Sequence, residues 1–142
     1  MFQTSSWYRV AACVFLATIA ARCGDDNNNL PSGPSLTPPT AVTETFEGTL
    51  TVNGGTTYPY VVAQAGLTSA VLTTLSPDTA TVGVSLGTWN GQACQIILAN
   101  DNATQSAAVI GEARTAGNFC VRIHDVGKLT AAADYLLTVT HF

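Results

Sequence analysis

From residue 43 onward, apolar and polar side chains alternate along the chain with a period of two. The segment 82–87 (VGVSLG) shows the pattern clearly, with three apolar side chains separated by glycine or serine. Such alternation is typical of strands, and turn-forming residues recur at the roughly 8–12-residue spacing found in sandwiches and barrels. Because no segment of this part has a convincing helical period, we predict an all-β sandwich of about eight antiparallel strands and exclude β-α-β architectures.

The predicted strands and their connections follow from this pattern. Asn53-Gly54-Gly55 and Asn90-Gly91 predict hairpin turns, because asparagine and glycine accept the positive φ angles that such turns require. Pro59 places the second strand at a sheet edge, since proline has no N–H to donate to a neighbouring strand. Asn100-Asp101-Asn102 predicts a loop. The predicted strands are residues 46–52, 58–62, 66–75, 82–86, 94–99, 107–113, 117–125 and 134–141.

The first forty residues have the composition of an export signal followed by a tether. Residues 10–21 are apolar throughout, too few to span a bilayer as a helix but suited to the apolar region of a signal peptide. Residues 25–40 hold four of the six prolines and no hydrophobic periodicity, which predicts a disordered spacer. We therefore divide the chain into a signal peptide (1–22), a disordered tether (23–41) and a folded β-sandwich domain (42–142).

Cys23 is the candidate site of lipid attachment. The segment Ala20-Ala21-Arg22-Cys23 resembles the lipobox of bacterial lipoproteins, and the polar sequence after Cys23 is similar to the start of many lipoprotein tethers. Cleavage after Ala20 or Ala21 without lipid is the alternative. Both interpretations predict an exported protein: periplasmic, tethered to the outer membrane or displayed on the cell surface in the first case, and otherwise secreted.

Two cysteines, Cys94 and Cys120, lie in the β-rich part of the chain. In an oxidising compartment, an isolated cysteine pair in a small domain is expected to form a disulfide. A catalytic or metal-binding pair would instead be expected to show close C-x-x-C spacing with histidines nearby, which this pair does not have. We therefore predict a structural disulfide between Cys94 and Cys120.

The charge of the chain excludes one class of partner. Only 10% of the residues are charged, the formal net charge is -4, and the predicted domain holds three scattered basic residues, Arg114, Arg122 and Lys128. Nucleic-acid binding requires a basic patch that neutralises phosphates. We therefore expect no nucleic-acid partner.

Three segments of the predicted domain carry a family resemblance. They are residues 45–50 (TFEGTL), 117–125 (GNFCVRIHD) and 134–140 (DYLLTVT). In this order they resemble the opening F-x-G-x-L strand, the late G-x-Y-C-V-R-V-x-D strand and the final Y-x-L-x-V strand of the bacterial pre-peptidase C-terminal (PPC) domain and its relatives. The resemblance spans residues 43–142 and implies a jelly-roll-like β-sandwich, found appended to secreted enzymes or within exported lipoproteins. An accessory role would require an enzyme on a separate chain, since no enzyme module accompanies the domain here.

Candidate catalytic residues are few, and their spacing does not favour catalysis. His124 and Asp125 are adjacent in a predicted strand, so their side chains are expected on opposite faces, and we interpret them as flanking a turn through Gly127. Glu44 and Glu47 likewise face opposite sides of their strand. Residues 83–87 (GVSLG) match the letters of the G-x-S-x-G motif, but they lie within a predicted strand and not at the strand-to-helix turn that exposes such a serine. The sequence contains no H-E-x-x-H motif, and His141 is the one other histidine. We predict a protein that is not an enzyme and needs no cofactor.

Ligand-binding candidates are limited to a few side chains. The oxygen atoms of Asn100, Asp101 and Asn102 suit calcium, but such clusters are commonly turns, and we predict no metal site. Trp89, beside the Asn90-Gly91 turn, is a candidate for stacking on a sugar ring, with Tyr58 and Tyr60 as extensions of the same platform. The alternative is that Trp89 covers one end of the core, as large aromatic side chains often do.

These observations predict a non-enzymatic binding or scaffolding module of the cell envelope, anchored by lipid on Cys23. Its expected partners are membrane lipid through N-terminal acylation, and a polysaccharide or an envelope protein through surface loops and edge strands. The alternative function is a carbohydrate-binding accessory module of a secreted hydrolase, with Trp89 as its anchor.

Overall fold

The computed structural model describes residues 39–142, so the predicted signal peptide, Cys23 and most of the predicted tether lie outside the described residues. All regular structure in the described range is β-strand, and it holds no helix that could cross a membrane. The strands are β1 (Val42–Leu50), β2 (Gly55–Val62), β3 (Gly66–Ser76), β4 (Val82–Trp89), β5 (Cys94–Ala103), β6 (Ala108–Ala113), β7 (Gly117–His124) and β8 (Ala133–His141).

The eight strands form two four-stranded antiparallel sheets. The strand order is β1-β8-β3-β6 in one sheet and β2-β7-β4-β5 in the other. Strand β1 pairs with β8, β2 with β7, β3 with β6 and β4 with β5. The first four strands therefore pair with the last four in reverse order, with the β4–β5 hairpin at the centre. This pairing is that of a double-sheet jelly roll. The predicted all-β, jelly-roll-like sandwich is confirmed.

The core lies between the two sheets and is built by the period-two pattern of the strands. In β8, Tyr135, Leu137 and Val139 are buried while the residues between them are partly or fully exposed. In β7, Val121 and Ile123 point into the same space from the opposite sheet. Burial of these side chains supplies the main driving force for folding, at about 25 cal/mol per Å² of apolar surface. The largest fully buried side chains include Leu50, Val62, Leu72, Leu75, Val82, Val84, Val121, Ile123, Leu137 and Val139.

Most predicted connections are confirmed. Strands β4 and β5 form a hairpin around Asn90-Gly91, where Gly91 has a φ of 95°. Strand β2, which contains Pro59, is an edge strand.

Two local predictions are wrong. The Asn53-Gly54-Gly55 turn does not form a hairpin, because β1 and β2 belong to different sheets and the turn passes from one sheet to the other. Residues 100–102 are not a loop but the end of β5, which pairs with β4 as far as Ala103. In both places the turn-forming residues are present, but long-range strand pairing decides what the chain does there.

The predicted disulfide is present. Cys94 and Cys120 are bonded, with a Cα–Cα distance of 5.8 Å, and the bond joins the first residue of β5 to the middle of β7. Cys120 is fully buried, so the bridge forms part of the packed structure.

Candidate functional site

Asp125 has a structural role in the described loops. Its Oδ1 accepts hydrogen bonds from the backbone N–H groups of Gly127, Lys128 and Leu129 at 2.8, 2.9 and 3.1 Å. Its Oδ2 accepts a hydrogen bond from the Asn53 N–H at 2.8 Å. The carboxylate thus joins the loop after β7 to the turn after β1. The interpretation of Asp125 as part of a turn through Gly127 is confirmed.

The same hydrogen bonds predict how stability depends on pH. Backbone hydrogen bonds, led by that from Asn53, hold the pKa of the Asp125 carboxyl below its ordinary value of 3.8, against a smaller opposing effect of desolvation. The stabilisation is therefore complete above pH 3.8 and is lost as the pH falls through the lowered pKa of the folded state. We expect Asp125→Asn to be less stable than the wild type near neutral pH and to lose less stability in acid. Urea unfolding at neutral pH and below pH 3.8 tests this. If acid lowered the free energy of unfolding equally in both proteins, the prediction would be wrong.

The histidines lie apart and contact carboxylates. The buried His141 places Nε2 3.0 Å from Glu44 Oε1, and the half-buried His124 places Nε2 3.6 Å from Asp101 Oδ1. The two histidines lie in different sheets. Glu47 lies on the exposed face of β1, opposite Glu44, as the alternation predicted. Both contacts join strands that are distant in the sequence, β7 to β5 and β8 to β1, and neither involves Asp125.

The Asn100-Asp101-Asn102 segment uses its oxygen atoms for contacts within the protein. Asn100 Oδ1 accepts a hydrogen bond from the Asn102 N–H at 3.0 Å, and Asn102 Oδ1 accepts one from Lys128 Nζ at 2.6 Å. Among residues 39–142, no group of three or more histidine, cysteine, aspartate or glutamate side chains is arranged to hold a metal ion.

The three candidate aromatic side chains do not form one platform. The Tyr58 ring stacks on Phe46 with a centroid distance of 4.6 Å, and its hydroxyl hydrogen-bonds to the Tyr135 hydroxyl at 2.7 Å. Tyr60 is only 4% exposed and belongs to the core. Both tyrosines therefore point into the sandwich, because they lie on the inward face of β2. Trp89 is left as the one candidate at the surface.

Trp89 lies outside the core and at the edge of a shallow groove. It is half-buried and is not among the side chains that pack against the core cluster. The groove has a volume of about 330 Å³, and Trp89 shares its lining with Thr57, Gln92 and Arg122. The alternative that Trp89 covers one end of the core is therefore not supported by the packing.

The two open sides of the sandwich differ in character. On one side, β1 lies beside β2, and these edges carry Glu44, Glu47 and Pro59 beside the exposed Val42 and Val61. Charges and proline are devices that protect edge strands from pairing with other chains. On the other side, β5 lies beside β6, and its exposed residues include four large aliphatic side chains. We call this surface, formed by Ile96, Ile97, Leu98 and Ile110, the β5–β6 apolar edge.

A small pocket opens under the β5–β6 apolar edge. Its volume is about 50 Å³, and Ile97 and Leu98 belong both to its lining and to the edge above it. Tyr60 and Thr68, each only 4% exposed, are among its lining residues. Both hydroxyl oxygens are buried away from solvent. The remaining lining residues are Leu86, Gly87, Gly111, Glu112, Ala113 and Phe119.

The sequence prediction missed this site, although one signal was available. The consecutive Ile96-Ile97-Leu98 interrupts the alternation that holds elsewhere, and in an edge strand such a run exposes apolar side chains. The strand pairing shifts register on the β5 side between Ile96 and Leu98, which leaves Ile97 without a partner in β4. The position of β5 at a sheet edge depends on the strand order of the whole domain.

The fold and the site define an eight-stranded jelly-roll domain with four exposed large aliphatic side chains along its β5–β6 side. No family model and no curated protein matches the chain. Among solved structures, the chain is similar to PliG of Aeromonas hydrophila, described as a periplasmic lysozyme inhibitor of g-type lysozyme. The TM-score is 0.52 at 13% sequence identity, over 70% of this chain and 85% of that chain. At this identity the similarity shows a shared fold.

Proposed function

We propose that this chain is an exported, non-enzymatic protein that binds another protein through the β5–β6 apolar edge. The observation that carries the proposal is the exposure of Ile96, Ile97, Leu98 and Ile110 along one open side of the sandwich. Half of the eight exposed large hydrophobic side chains among residues 39–142 lie on this side, and clusters of exposed apolar side chains mark sites of interaction. An unprotected edge strand also offers backbone N–H and C=O groups to a partner.

The charge of the domain favours a basic partner. Residues 39–142 contain seven acidic and three basic side chains, so the domain carries a net negative charge. Opposite net charges accelerate the encounter of two proteins and disfavour partners of like charge. The PliG comparison supports the same class of function, because that protein of similar fold is described as an inhibitor of a lysozyme. We therefore infer that a cell-wall hydrolase of the g-type lysozyme class is the first partner to test.

The anchoring of the protein is part of the same proposal. A disulfide persists in oxidising compartments, which supports export. We infer that lipid on Cys23 tethers the domain to the envelope, and that cleavage near Ala21 would release it instead. The intact mass of the mature protein distinguishes the two. Membership of the PPC family stays a prediction from the three sequence motifs.

The test is binding and inhibition of a g-type lysozyme by the full chain. We expect Ile97→Asp to weaken binding by at least about 30-fold, as loss of a central apolar contact does in protein interfaces. Val61→Asp is the matched control, because Val61 is similarly exposed, at 63% against 65% for Ile97, but lies on the opposite open side. Calorimetric titration and a cell-wall lysis assay measure the two effects. Absence of binding by the wild type, or equal weakening by both substitutions, would contradict the proposal.

Carbohydrate binding is the second candidate, favoured by the position of Trp89 outside the core. A half-buried tryptophan beside polar side chains can stack on a sugar ring while they donate hydrogen bonds. We expect Trp89→Ala to remove binding to polysaccharide and to change the free energy of unfolding by less than about 1 kcal/mol, as for surface positions. Pull-down on insoluble cell-wall glycan and urea unfolding measure both effects. A large loss of stability would instead show that Trp89 is a packing residue.

A further inference from the structure

We propose that the groove lined by Trp89 and Arg122 binds an acidic glycan, one in which a sugar ring carries a carboxylate. We call this surface the Trp89–Arg122 groove. The inference deepens carbohydrate binding, the second candidate function, and rests on it. It does not depend on the β5–β6 apolar edge, because the two surfaces share no residue.

Arg122 supplies the one charge of the groove. The other lining residues are Gly55, Thr57, Trp89, Gln92, Ala93 and Cys94. None of them is acidic or basic. The ion pairs within residues 39–142 are those of His124 and His141, so no carboxylate of this range forms an ion pair with the Arg122 guanidinium. Arg122 is also exposed, and its charge is therefore available to an anionic ligand.

The guanidinium of Arg122 lies beside a part of the sheet that has no side chain. In the pairing of β2 with β7, Thr57 lies opposite Arg122, and Gly55 lies on the same face as Thr57. A Cβ atom added at Gly55 would lie 3.4 Å from Arg122 Nη2, in van der Waals contact with the guanidinium. The glycine therefore leaves space next to the charged group for a ligand.

The disulfide joins the two ends of the groove. Trp89 pairs with Cys94, which also lines the groove. Cys94 is bonded to Cys120, which lies two residues before Arg122 and on the same face of β7. The strands that carry the indole and the guanidinium are thus linked covalently. A site that is held in place before binding loses less entropy when the ligand arrives.

The remaining lining suits a sugar. The indole ring of Trp89 offers an apolar face, while the Gln92 amide and the Thr57 hydroxyl both donate and accept hydrogen bonds. The loop that carries Gln92 is held by Asn90 Oδ1, which accepts hydrogen bonds from the N–H groups of Gln92 and Ala93 at 2.9 and 2.8 Å. The groove volume of about 330 Å³ lies at the lower end of the roughly 300–1,000 Å³ that is usual for small-molecule sites. It therefore accommodates a short stretch of glycan.

A single arginine favours a carboxylate as the charged group of that glycan. The planar guanidinium donates two parallel hydrogen bonds to a carboxylate, an interaction that a neutral sugar cannot make. A phosphate carries a charge of about −1.5 to −2 at neutral pH, more than one arginine balances. The net negative charge of the domain is screened beyond about 8 Å at physiological salt, so the local charge at Arg122 decides which ligand is held.

The test is calorimetric titration of the full chain with trigalacturonate and with its methyl ester, in which each carboxylate is a neutral ester. We expect saturable binding of trigalacturonate and about tenfold weaker binding of the ester, as for loss of a hydrogen bond to a charged group. Arg122→Gln should weaken trigalacturonate binding by the same factor and leave the affinity for the ester unchanged. Trp89→Ala should weaken the binding of both probes.

Arg114→Gln is the matched control, because Arg114 is also exposed but does not line the groove. It changes the net charge as Arg122→Gln does, and it should leave the affinity for trigalacturonate unchanged. Urea midpoints of the variants show that each is folded. Equal weakening by the two arginine substitutions, equal affinity of the wild type for both probes, or no saturable binding of trigalacturonate would overturn the proposal.

These outcomes separate the inference from the functions on which the rest of the molecule is interpreted. If the protein binds insoluble cell-wall glycan through Trp89 but does not prefer trigalacturonate to its ester, carbohydrate binding stands and the acidic ligand is wrong. Ile97→Asp should leave trigalacturonate binding unchanged, since Ile97 lies outside the groove. Absence of lysozyme binding would therefore contradict the proposed protein partner and not the Trp89–Arg122 groove.

Discussion

Reduction of the Cys94–Cys120 disulfide is expected to lower the free energy of unfolding by about 3.5 kcal/mol. The two cysteines are 26 residues apart, and a cross-link of that length reduces the entropy of the unfolded chain by an amount that corresponds to this energy. Small domains have a total stability of roughly 5–15 kcal/mol, so the disulfide supplies a substantial part of it. Urea unfolding with and without reductant measures the difference.

The effect of reduction should be greatest in β5. Cys94 is the first residue of that edge strand, which has a hydrogen-bonded neighbour only in β4, while Cys120 lies in the interior strand β7. Amide exchange should therefore accelerate more in β5 than in β8, which is paired on both sides. A variant with both cysteines replaced is the control for the reductant and should not respond to it. An unchanged urea midpoint on reduction would show that the folded strands alone hold β5 in place.

Gly87→Ala is expected to destabilise the protein by about 3 kcal/mol, at the upper end of the range for overpacking. A Cβ atom at Gly87 would overlap the carbonyl group of Gln95 and lie 3.0 Å from the Cα atom of Ile96. These are backbone atoms of β5, so the strand itself must move away from β4. For a domain of this size, the change corresponds to a fall in Tm of at least about 10 °C, measurable by calorimetry.

The matched control is Gly83→Ala, four residues earlier in the same strand. There the added Cβ would meet the imidazole of His124, a side chain that can rotate out of the way. We therefore expect a clearly smaller loss of stability at Gly83 than at Gly87. Equal effects at both positions would show that the β4–β5 pairing is not the cause. Because β5 carries most of the β5–β6 apolar edge, Gly87→Ala should also weaken binding of any partner at that surface.

Much of the fold could be predicted because its signals are local. Alternation such as that of Tyr135, Leu137 and Val139 in β8 shows which face of a strand is buried, wherever the strand lies. The same holds for the Asn90-Gly91 turn and for Pro59, whose backbone requirements do not depend on distant parts of the chain. The disulfide could be predicted because two isolated cysteines in a small domain of an exported protein are expected to form a bond. The jelly-roll pairing implied by the family resemblance is present, although membership of that family stays a prediction.

The candidate site could not be predicted because it depends on distant parts of the chain. The period of two in a strand puts Tyr58 and Tyr60 on one face of β2, but only the packing of the two sheets shows that this face is the inner one. Thr68 and Tyr60 come from different sheets, and both line the pocket together with residues of β5 and β6.

The sequence by itself therefore determined the all-β class, the strands, the β4–β5 hairpin and the cysteine pair. Only the tertiary structure decided that β5 and β6 are edge strands, that the turn after β1 passes between sheets, and that the residues of the β5–β6 apolar edge lie along one open side. The physical reason is that side-chain alternation and turn geometry act over a few residues. The pairing of β1 with β8, by contrast, joins residues as distant as Val42 and His141, and it is selected by the burial of the whole core.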